Sequence, residues 1–258
     1  MELIAPARLP RHSPRSHPCR GASAPPVHIF RRTDMSLQSK LDAFKADFEA
    51  GKPPYSVPRS VIDTMHRATA ELIASGAARR ALKAGDKAPF FALKDPDGRT
   101  VASSEMLARG PLVVSFYRGA WCPYCNMELQ ALQEALPAFR ELGAGLVAIS
   151  PQNAVNSRKS IRTNGLDFPI LSDPGNETAA AFGLRYAMPD YLIELYKNLK
   201  NDLPAFNGDT SWTLPMPGRF VIGRDGVIRY AEVNPDYTRR PEPSDLLPTL
   251  RSQVARAA

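Results

Sequence analysis

Hydrophobic and polar residues repeat with a helical period in the segment that follows residue 35. Apolar side chains recur every three to four positions between residues 36 and 50, and a Gly-Lys-Pro-Pro sequence ends the pattern. A second helix is predicted from about Pro58 to Ser75, because a proline suits its first turn and a glycine follows its end. The two helices are predicted to form a helical N-terminal extension over residues 35–80.

From residue 81 onward, short apolar runs alternate with helical patterns. Strands are expected near 90–93, 99–102, 111–117, 146–149, 169–171, 219–222 and 227–230, and helices near 103–108, 123–142, 153–163, 176–182, 189–200 and 243–254. An Arg-Asp-Gly turn at 224–226 joins the last two strands in a hairpin. Alternating strands and helices that end in a hairpin and a helix predict an α/β fold for residues 81–258, with a central mixed sheet flanked by helices.

Residues 1–34 have no such periodicity. They contain six Pro, six Arg and three His, and they contribute +4 of the formal net charge of +7. A segment of this composition cannot bury a core, so a disordered tail, or a gene-model extension upstream of Met35, is predicted. An organellar transit peptide is the alternative, although the prolines disfavour an amphipathic helix.

Charge and cysteine content exclude several classes of protein. The rest of the chain is mildly basic and has no basic stripe interleaved with aromatic residues, so nucleic acid is not an expected partner. No apolar run reaches the roughly 18 residues that a membrane span requires. Three cysteines are too few for a disulfide-stapled secreted scaffold, so a cytoplasmic location is expected.

Two of the three cysteines form a Cys-Pro-Tyr-Cys sequence, in which Cys122 and Cys125 lie between a predicted strand and a predicted helix. A thiol in the first turn of a helix faces unpaired backbone N–H groups and the positive end of the helix dipole, and this lowers its pKa. The second thiol can close a disulfide with the first, which predicts a two-electron redox cycle. A purely structural disulfide is the alternative. Cys122 precedes the helix and is expected to be the more exposed sulfur.

Neither a metal nor an organic cofactor is expected. Zinc requires four ligands, and this domain has one Cys pair without a second pair or a His-x₃₋₅-His sequence. The sequence also contains no glycine-rich nucleotide or phosphate loop. Reducing equivalents are therefore expected from a partner.

Four segments resemble the alkyl hydroperoxide reductase/thiol-specific antioxidant group of peroxiredoxins, which belong to the thioredoxin-fold superfamily. They are Gly-Asp-Lys-Ala-Pro-Phe-Phe at 85–91, Val-Ser-Phe-Tyr-Arg-Gly at 114–119, Leu-Ser-Asp-Pro-Gly at 171–175 and Phe-Val-Ile-Gly-Arg-Asp-Gly at 220–226. The resemblance implies a thioredoxin-like fold and a thiol-dependent peroxidase that reduces hydrogen peroxide or organic hydroperoxides. It also implies electrons from thioredoxin, glutaredoxin or glutathione.

The active-site residues depart from that family. Peroxiredoxins usually carry Pro, three residues, Thr or Ser, two residues and Cys, and these positions fall on Arg118, Cys122 and Cys125. The family's usual Arg falls on Pro217, where thioredoxins place a cis-proline that faces their two cysteines. Cys-Pro-Tyr-Cys itself resembles the glutaredoxin tetrapeptide. Arg118 is expected to hold a thiolate or to donate to the peroxide; a solvated loop charge is the alternative.

Several assignments stay open at this point. The peroxiredoxin alignment makes Cys125 the sulfur that attacks peroxide, whereas the thioredoxin pattern makes it Cys122. Trp121, Tyr124 and Pro217 are expected to line the pocket around the sulfurs, with a role as core cover as the alternative for Trp121 and Tyr124. A thiol–disulfide oxidoreductase and a non-enzymatic redox sensor are the alternative functions. The apolar face of residues 185–212 predicts core packing, with a partner site or homodimer contact as the alternative.

Overall fold

The computed structural model describes residues 35–54 and 56–255. The helices of this part are α1 (Leu37–Glu49), α2 (Arg59–Ala74), α3 (Ser103–Arg109), α4 (Pro123–Glu141), α5 (Ala154–Asn164), α6 (Glu177–Ala181), α7 (Asp190–Asn198), α8 (Leu203–Asn207) and α9 (Leu247–Ala255). The strands are β1 (Ala92–Lys94), β2 (Thr100–Ala102), β3 (Leu112–Phe116), β4 (Gly145–Ser150), β5 (Ile170–Ser172), β6 (Arg185–Ala187), β7 (Thr213–Pro215), β8 (Gly218–Ile222) and β9 (Ile228–Val233). Short 3₁₀ helices precede β1, α6 and α9.

Seven strands form one mixed sheet in the order β2-β1-β5-β4-β3-β8-β9. Its three central strands, β3, β4 and β5, are parallel, and β8 and β9 continue it as an antiparallel hairpin. Every residue of β3 is buried, because helices and loops cover both faces of the sheet. The predicted thioredoxin-like α/β fold with a central mixed sheet is confirmed.

The central strand β3 sends alternate side chains into two apolar cores. Val113 packs in the core that contains the buried face of α4, whereas Val114 and Phe116 pack in the core on the other face. Leu37 and Leu41 of α1 belong to the α4 core, so α1 is held by the same apolar contacts as the main domain. The loop before α4 therefore follows a buried strand that is packed on both faces.

Residues 185–212 form a compact unit that the sequence pattern resolved only in part. The helix predicted at 189–200 is present as α7, but the two-stranded sheet of β6 and β7 and the short helix α8 were not predicted. Each of these strands has only three residues, which is too few to show the alternation of apolar and polar side chains that predicts a strand. Leu192 and Tyr196 are buried in a third apolar cluster and Leu195 and Phe206 pack against it, so core packing is confirmed for these four residues, whereas Leu199 of the same face is exposed.

The boundaries of the predicted strand at 90–93 were wrong, since the strand begins at Ala92 and Phe90 remains exposed. The prediction of a disordered tail or gene-model extension concerns residues 1–34, which lie outside the described residues, and the domain division at residues 80 and 81 stays a prediction. No helix in the described ranges is long and apolar enough to cross a membrane.

Candidate active site

Cys122 occupies the N-cap of α4, directly after the loop that leaves β3. Its backbone is extended, and Pro123 takes the first helical position, where a missing N–H costs no hydrogen bond. No side-chain hydrogen bond caps this helix, so the unpaired N–H groups of its first turn leave a positive potential at the N-cap, where Cys122 lies. The sequence thus places a thiol at the positive end of a 19-residue helix.

Both sulfurs are free thiols and both are buried. Cys122 is 1% exposed and Cys125 is 0% exposed. Cys122 is the more exposed of the two by this small margin, in the predicted direction, but neither sulfur is accessible from the surface. Aromatic rings from distant segments close over the sequence, with Phe44 of α1 and Tyr237 packed edge-on against Tyr124. Burial favours a small substrate over a folded protein disulfide.

The guanidinium of Arg118 lies beside the Cys122 sulfur. Its Nη1 is 4.0 Å from Sγ of Cys122, and its Nη2 donates to the Tyr196 hydroxyl at 2.6 Å. The same group stacks over the rings of Trp121 and Tyr237, at 4.8 and 4.0 Å from their centroids. Arg118 is 2% exposed, so the interpretation as a solvated loop charge was wrong. A fixed positive charge at this distance stabilises a thiolate.

Cys125 meets a different arginine, which the sequence analysis missed. Nη2 of Arg240 donates to Sγ of Cys125 at 3.6 Å, and Nε of the same group pairs with Glu128. Arg219 holds the other carboxylate oxygen of Glu128 at 2.8 Å. All three charged side chains are buried. The family's usual Arg position falls on Pro217 here, but a guanidinium still reaches the motif from another part of the chain.

One member of this cluster had a signal in the sequence. Glu128 follows Cys125 by three residues, so the two share a face of α4, and that face is otherwise apolar. A carboxylate in such a position predicts a buried cationic partner. Arg240 lies in the segment after β9, where neither spacing nor composition indicates which side chain turns inward.

The two thiols have opposite pKa shifts, although both arginines favour the thiolate form of each. Burial raises the pKa of Cys122, but the hydrogen bond from Cys125 and the charges of Arg118 and Arg240 outweigh burial and lower the pKa to about 6. Burial, followed by the same hydrogen bond and the Cys122 charge, raises the pKa of Cys125 well above its ordinary value. At neutral pH the pair therefore consists of a Cys122 thiolate and a Cys125 thiol.

Gln152 fixes the loop between β3 and Cys122. Its Oε1 accepts from the backbone N–H of Ala120 at 2.8 Å, and its Nε2 donates to the Tyr117 hydroxyl at 2.6 Å. Asn126 of α4 donates to the Ala120 carbonyl at 2.9 Å. These bonds orient Arg118, which lies within this loop. Gln152 follows β4, and sequence analysis did not single it out.

The three predicted pocket residues have different surroundings. Trp121 packs edge-on against Tyr196 at 5.6 Å and carries Arg118 on its face, while Tyr124 lies between Phe44 and Tyr237. Pro217 follows a trans peptide bond, unlike the thioredoxin cis-proline, and lines a narrow cleft beside Glu128 and Arg240. Its assignment to the pocket stays a prediction. Within residues 35–54 and 56–255, no three His, Cys, Asp or Glu side chains are grouped as metal ligands.

The AhpC/TSA family model matches residues 84–231, more than half of the chain. Peroxiredoxin Q, chloroplastic, of Oryza sativa subsp. japonica is 30% identical over 146 residues, which are 57% of this chain and 57% of that protein. Peroxidoxin BcpB from Mycobacterium tuberculosis has a crystal structure that matches with a TM-score of 0.53 and 25% identity, over 66% of this chain and 97% of that one.

A second structure, peroxiredoxin 6 of Arenicola marina, matches with a TM-score of 0.53 and 20% identity, over 68% of this chain and 75% of that one, and supports the fold. The chain spans a little over half the length of the curated plant relatives it matches. The family match includes β3, the Cys122 and Cys125 pair, β8 and most of β9, whereas Tyr237 and Arg240 of the site lie after it. The chain belongs to the AhpC/TSA family.

Proposed function

We propose that this protein is a thiol-dependent peroxidase in which Cys122 and Cys125 form and reopen a disulfide. The observation that carries the proposal is the state of Cys122. This sulfur lies at the N-terminus of α4 beside Arg118, and its pKa of about 6 makes it mostly thiolate at neutral pH. Membership of a family whose matched relatives are called peroxiredoxins supports the same assignment.

The first step is attack of the Cys122 thiolate on one peroxide oxygen. A sulfur–oxygen bond forms while the oxygen–oxygen bond breaks, so the sulfur is oxidised to a sulfenic acid and the peroxide is reduced. The second oxygen leaves as an alkoxide or hydroxide and takes a proton to give alcohol or water. Arg118 holds the thiolate before attack and offers N–H groups to the departing oxygen.

The second step closes the disulfide. Cys125 gives up its proton and its sulfur attacks the Cys122 sulfenic sulfur, so that a sulfur–sulfur bond forms and hydroxide leaves as water. Arg240 donates to the Cys125 sulfur, and this contact favours the thiolate that must form. Cys122 is thus assigned the attack and Cys125 the resolution, which follows the thioredoxin pattern rather than the peroxiredoxin alignment.

A thiol reductant must then return two electrons and two protons to the disulfide. Thioredoxin, glutaredoxin and glutathione are the proposed donors, and the burial of both sulfurs requires the site to open before a protein donor reaches them. The cytoplasmic location remains part of the proposal; the rice relative is named as a chloroplastic protein. A homodimer remains a prediction.

Rapid mixing of the reduced protein with hydrogen peroxide and cumene hydroperoxide tests the proposal. All proteins carry Cys19→Ser, so that only the two site thiols are counted, and Cys122→Ser and Cys125→Ser are measured beside this parent. We expect thiol loss at about 10⁴ M⁻¹s⁻¹ or faster, within the usual enzyme range. Cys125→Ser should accumulate a sulfenic acid that dimedone traps, and Cys122→Ser should not react.

A rate no better than that of a free thiol would reject the peroxidase. Reduction of insulin disulfides would then separate a thiol–disulfide oxidoreductase from a redox sensor. Sulfenic acid in Cys122→Ser but not in Cys125→Ser would keep the peroxidase and reverse the roles of the two sulfurs.

A further inference from the structure

Arg240, whose guanidinium contacts the Cys125 sulfur, lies in a segment without helix or strand structure. Residues 234–242 connect β9 to the short 3₁₀ helix before α9. Such a segment lacks the regular hydrogen bonds of a helix or a strand, so its backbone groups need other partners. The Glu128 carboxylate fixes the guanidinium of Arg240, but the backbone that carries this side chain is held from another element.

Gln38 of helix α1 holds this backbone through its side-chain amide. The backbone N–H of Arg240 donates to Oε1 of Gln38 at 2.9 Å, across 202 positions of the chain. Nε2 of Gln38 donates in turn to the carbonyl of Thr238 at 3.4 Å. Arg240 is buried, and a buried backbone N–H requires an acceptor, which the Gln38 side chain supplies.

The surroundings of Gln38 hold it in place. Its backbone N–H donates to Oε1 of Glu242 at 3.1 Å, and its Nε2 also donates to Oδ1 of Asp42 at 2.8 Å. Helix α1 packs in the same apolar core as Cys125. The amide is therefore oriented toward the backbone of Arg240 by a helix that is anchored to the main domain.

The two segments joined by this amide flank the part of the chain that matches the AhpC/TSA family model. The match covers residues 84–231, whereas α1 precedes it and residues 234–242 follow it. Together these flanking segments place a guanidinium on the second sulfur of the dithiol. Helix α1 thus contributes to the site through Arg240 as well as through apolar packing.

We propose that Gln38 is a positioning residue for the step that closes the disulfide. It fixes the backbone of Arg240, so that the guanidinium stays on the Cys125 sulfur while this sulfur loses its proton and attacks Cys122. The inference rests on the proposed peroxidase function, in which Cys125 resolves the sulfenic acid at Cys122.

Gln38→Met tests the proposal, because methionine keeps the length of the side chain and removes its hydrogen bonds. Rapid mixing of the Cys19→Ser parent with hydrogen peroxide, followed by dimedone trapping, measures the two steps separately. We expect disulfide closure to slow about threefold to tenfold, as the loss of such hydrogen bonds produces, and sulfenic acid formation to change less than about twofold. Unchanged closure, or equal slowing of both steps, would overturn the proposal.

Gln133→Met is the matched control. Oε1 of Gln133 also accepts a backbone N–H and its Nε2 also donates, in both cases to Asp167 at 2.8 Å. Both glutamines are half-buried on helices, but the hydrogen bonds of Gln133 lead to neither Arg240 nor a sulfur. The control should leave both steps unchanged. Closure slowed as much as in Gln38→Met would attribute the effect to lost stability and overturn the positioning role.

A double-mutant cycle shows whether Gln38 acts through Arg240. Adding Gln38→Met to Arg240→Met should slow closure no further, since the guanidinium that the amide positions is already gone. The full effect of Gln38→Met in that background would mean that Gln38 acts by another route, and it would overturn the proposal.

The ionisation of Cys125 provides a readout that needs no peroxide. In a parent that carries Cys19→Ser and Cys122→Ser, Cys125 is the remaining one of the three cysteines. The Cβ chemical shift of ¹³C-labelled cysteine then follows the titration of this thiol alone. Arg240 favours the thiolate, so displacement of its guanidinium should raise the pKa of Cys125.

This titration separates failure of the inference from failure of the function on which it rests. Gln38→Met and Arg240→Met should both raise the pKa of the remaining thiol, and Gln133→Met should not. An unchanged pKa in Gln38→Met overturns the inference whatever the peroxide rates are. A raised pKa in a protein that peroxides oxidise no faster than a free thiol would reject the peroxidase and support the positioning of Arg240 by Gln38.

Discussion

Cys122 and Cys125 lie three residues apart at the start of the same helix, yet each contacts a different kind of arginine. Arg118, at Cys122, is held by aromatic rings and one hydroxyl, keeps one donor free and borders a cavity. Arg240, at Cys125, is held by a buried carboxylate and by backbone carbonyls. In the proposed mechanism this difference assigns Arg118 to the attacking sulfur and Arg240 to the resolving one.

Removing the Glu128 carboxylate, which pairs with Arg240, should produce the largest effect on stability. Glu128→Gln leaves Arg219 and Arg240 facing each other without a counter-charge, and we expect a loss of about 3–5 kcal/mol in the free energy of unfolding. Urea denaturation followed by circular dichroism measures it. Glu177→Gln, which breaks an exposed pair with Arg185, is the control and should cost less than about 1 kcal/mol. Equal losses in the two variants would contradict a buried role for Glu128.

Replacing each of the two arginines in turn should distinguish the two reaction steps, sulfenic acid formation and disulfide closure. Arg118→Met should slow sulfenic acid formation by about tenfold or more, because the thiolate loses its nearest charge. In Arg240→Met, sulfenic acid should form faster than in Arg118→Met. Disulfide closure is the step that Arg240→Met should slow. Dimedone trapping after rapid mixing distinguishes the steps. If both variants slow only the first step, the two arginines act as one electrostatic unit.

The pH dependence of peroxide reaction should reveal the lowered pKa of Cys122. The reactive form is the thiolate, so the rate should rise with pH through about 6 and then level, gaining about tenfold between roughly pH 5 and pH 7. An ordinary thiol, with its pKa near 8.5, would gain most of its rate above neutral pH. Stopped-flow rates and the ultraviolet absorbance of the thiolate should give the same midpoint. A midpoint near 8.5 would show that Arg118 and the helix terminus do not activate the sulfur.

Loss of the Tyr196 hydroxyl, which bonds to Arg118, should have the smallest effect, a modest decrease in the rate of reaction with peroxide. Tyr196→Phe removes one hydrogen bond of 2.6 Å, while Trp121 and Tyr237 continue to hold the guanidinium by stacking. A net loss of about 0.5–1.5 kcal/mol corresponds to a rate decrease of roughly twofold to tenfold. The second-order rate with hydrogen peroxide measures it. A decrease larger than that of Arg118→Met would mean that the Tyr196 hydroxyl itself contacts the peroxide.

Local pattern predicted most of the elements that build the site. The apolar run at 111–117 and the helical period after residue 123 located β3 and α4 within one residue at each end, and the Cys-Pro-Tyr-Cys sequence between them placed Cys122 at the N-cap. The short strands β6 and β7 were not predicted, because three residues are too few to show an alternation of apolar and polar side chains. Helix and strand periods arise from contacts between near neighbours, so they can be read from the chain.

The burial of Cys122 and the partners of both sulfurs depended on the tertiary structure. Arg118 and Tyr196 are 78 positions apart, and Cys125 and Arg240 are 115 positions apart. No period or spacing along the chain encodes such pairs, because the fold brings them together only after the sheet and α4 have packed.

The sequence by itself determined the α/β class, the position of the dithiol at a helix N-terminus and the resemblance to a peroxide-reducing family. The tertiary structure alone decided that each sulfur contacts its own buried arginine and that both sulfurs are buried. The physical reason is that electrostatic and apolar contacts act through space, so the ionisation and access of a thiol follow from its three-dimensional neighbours rather than from its place in the chain.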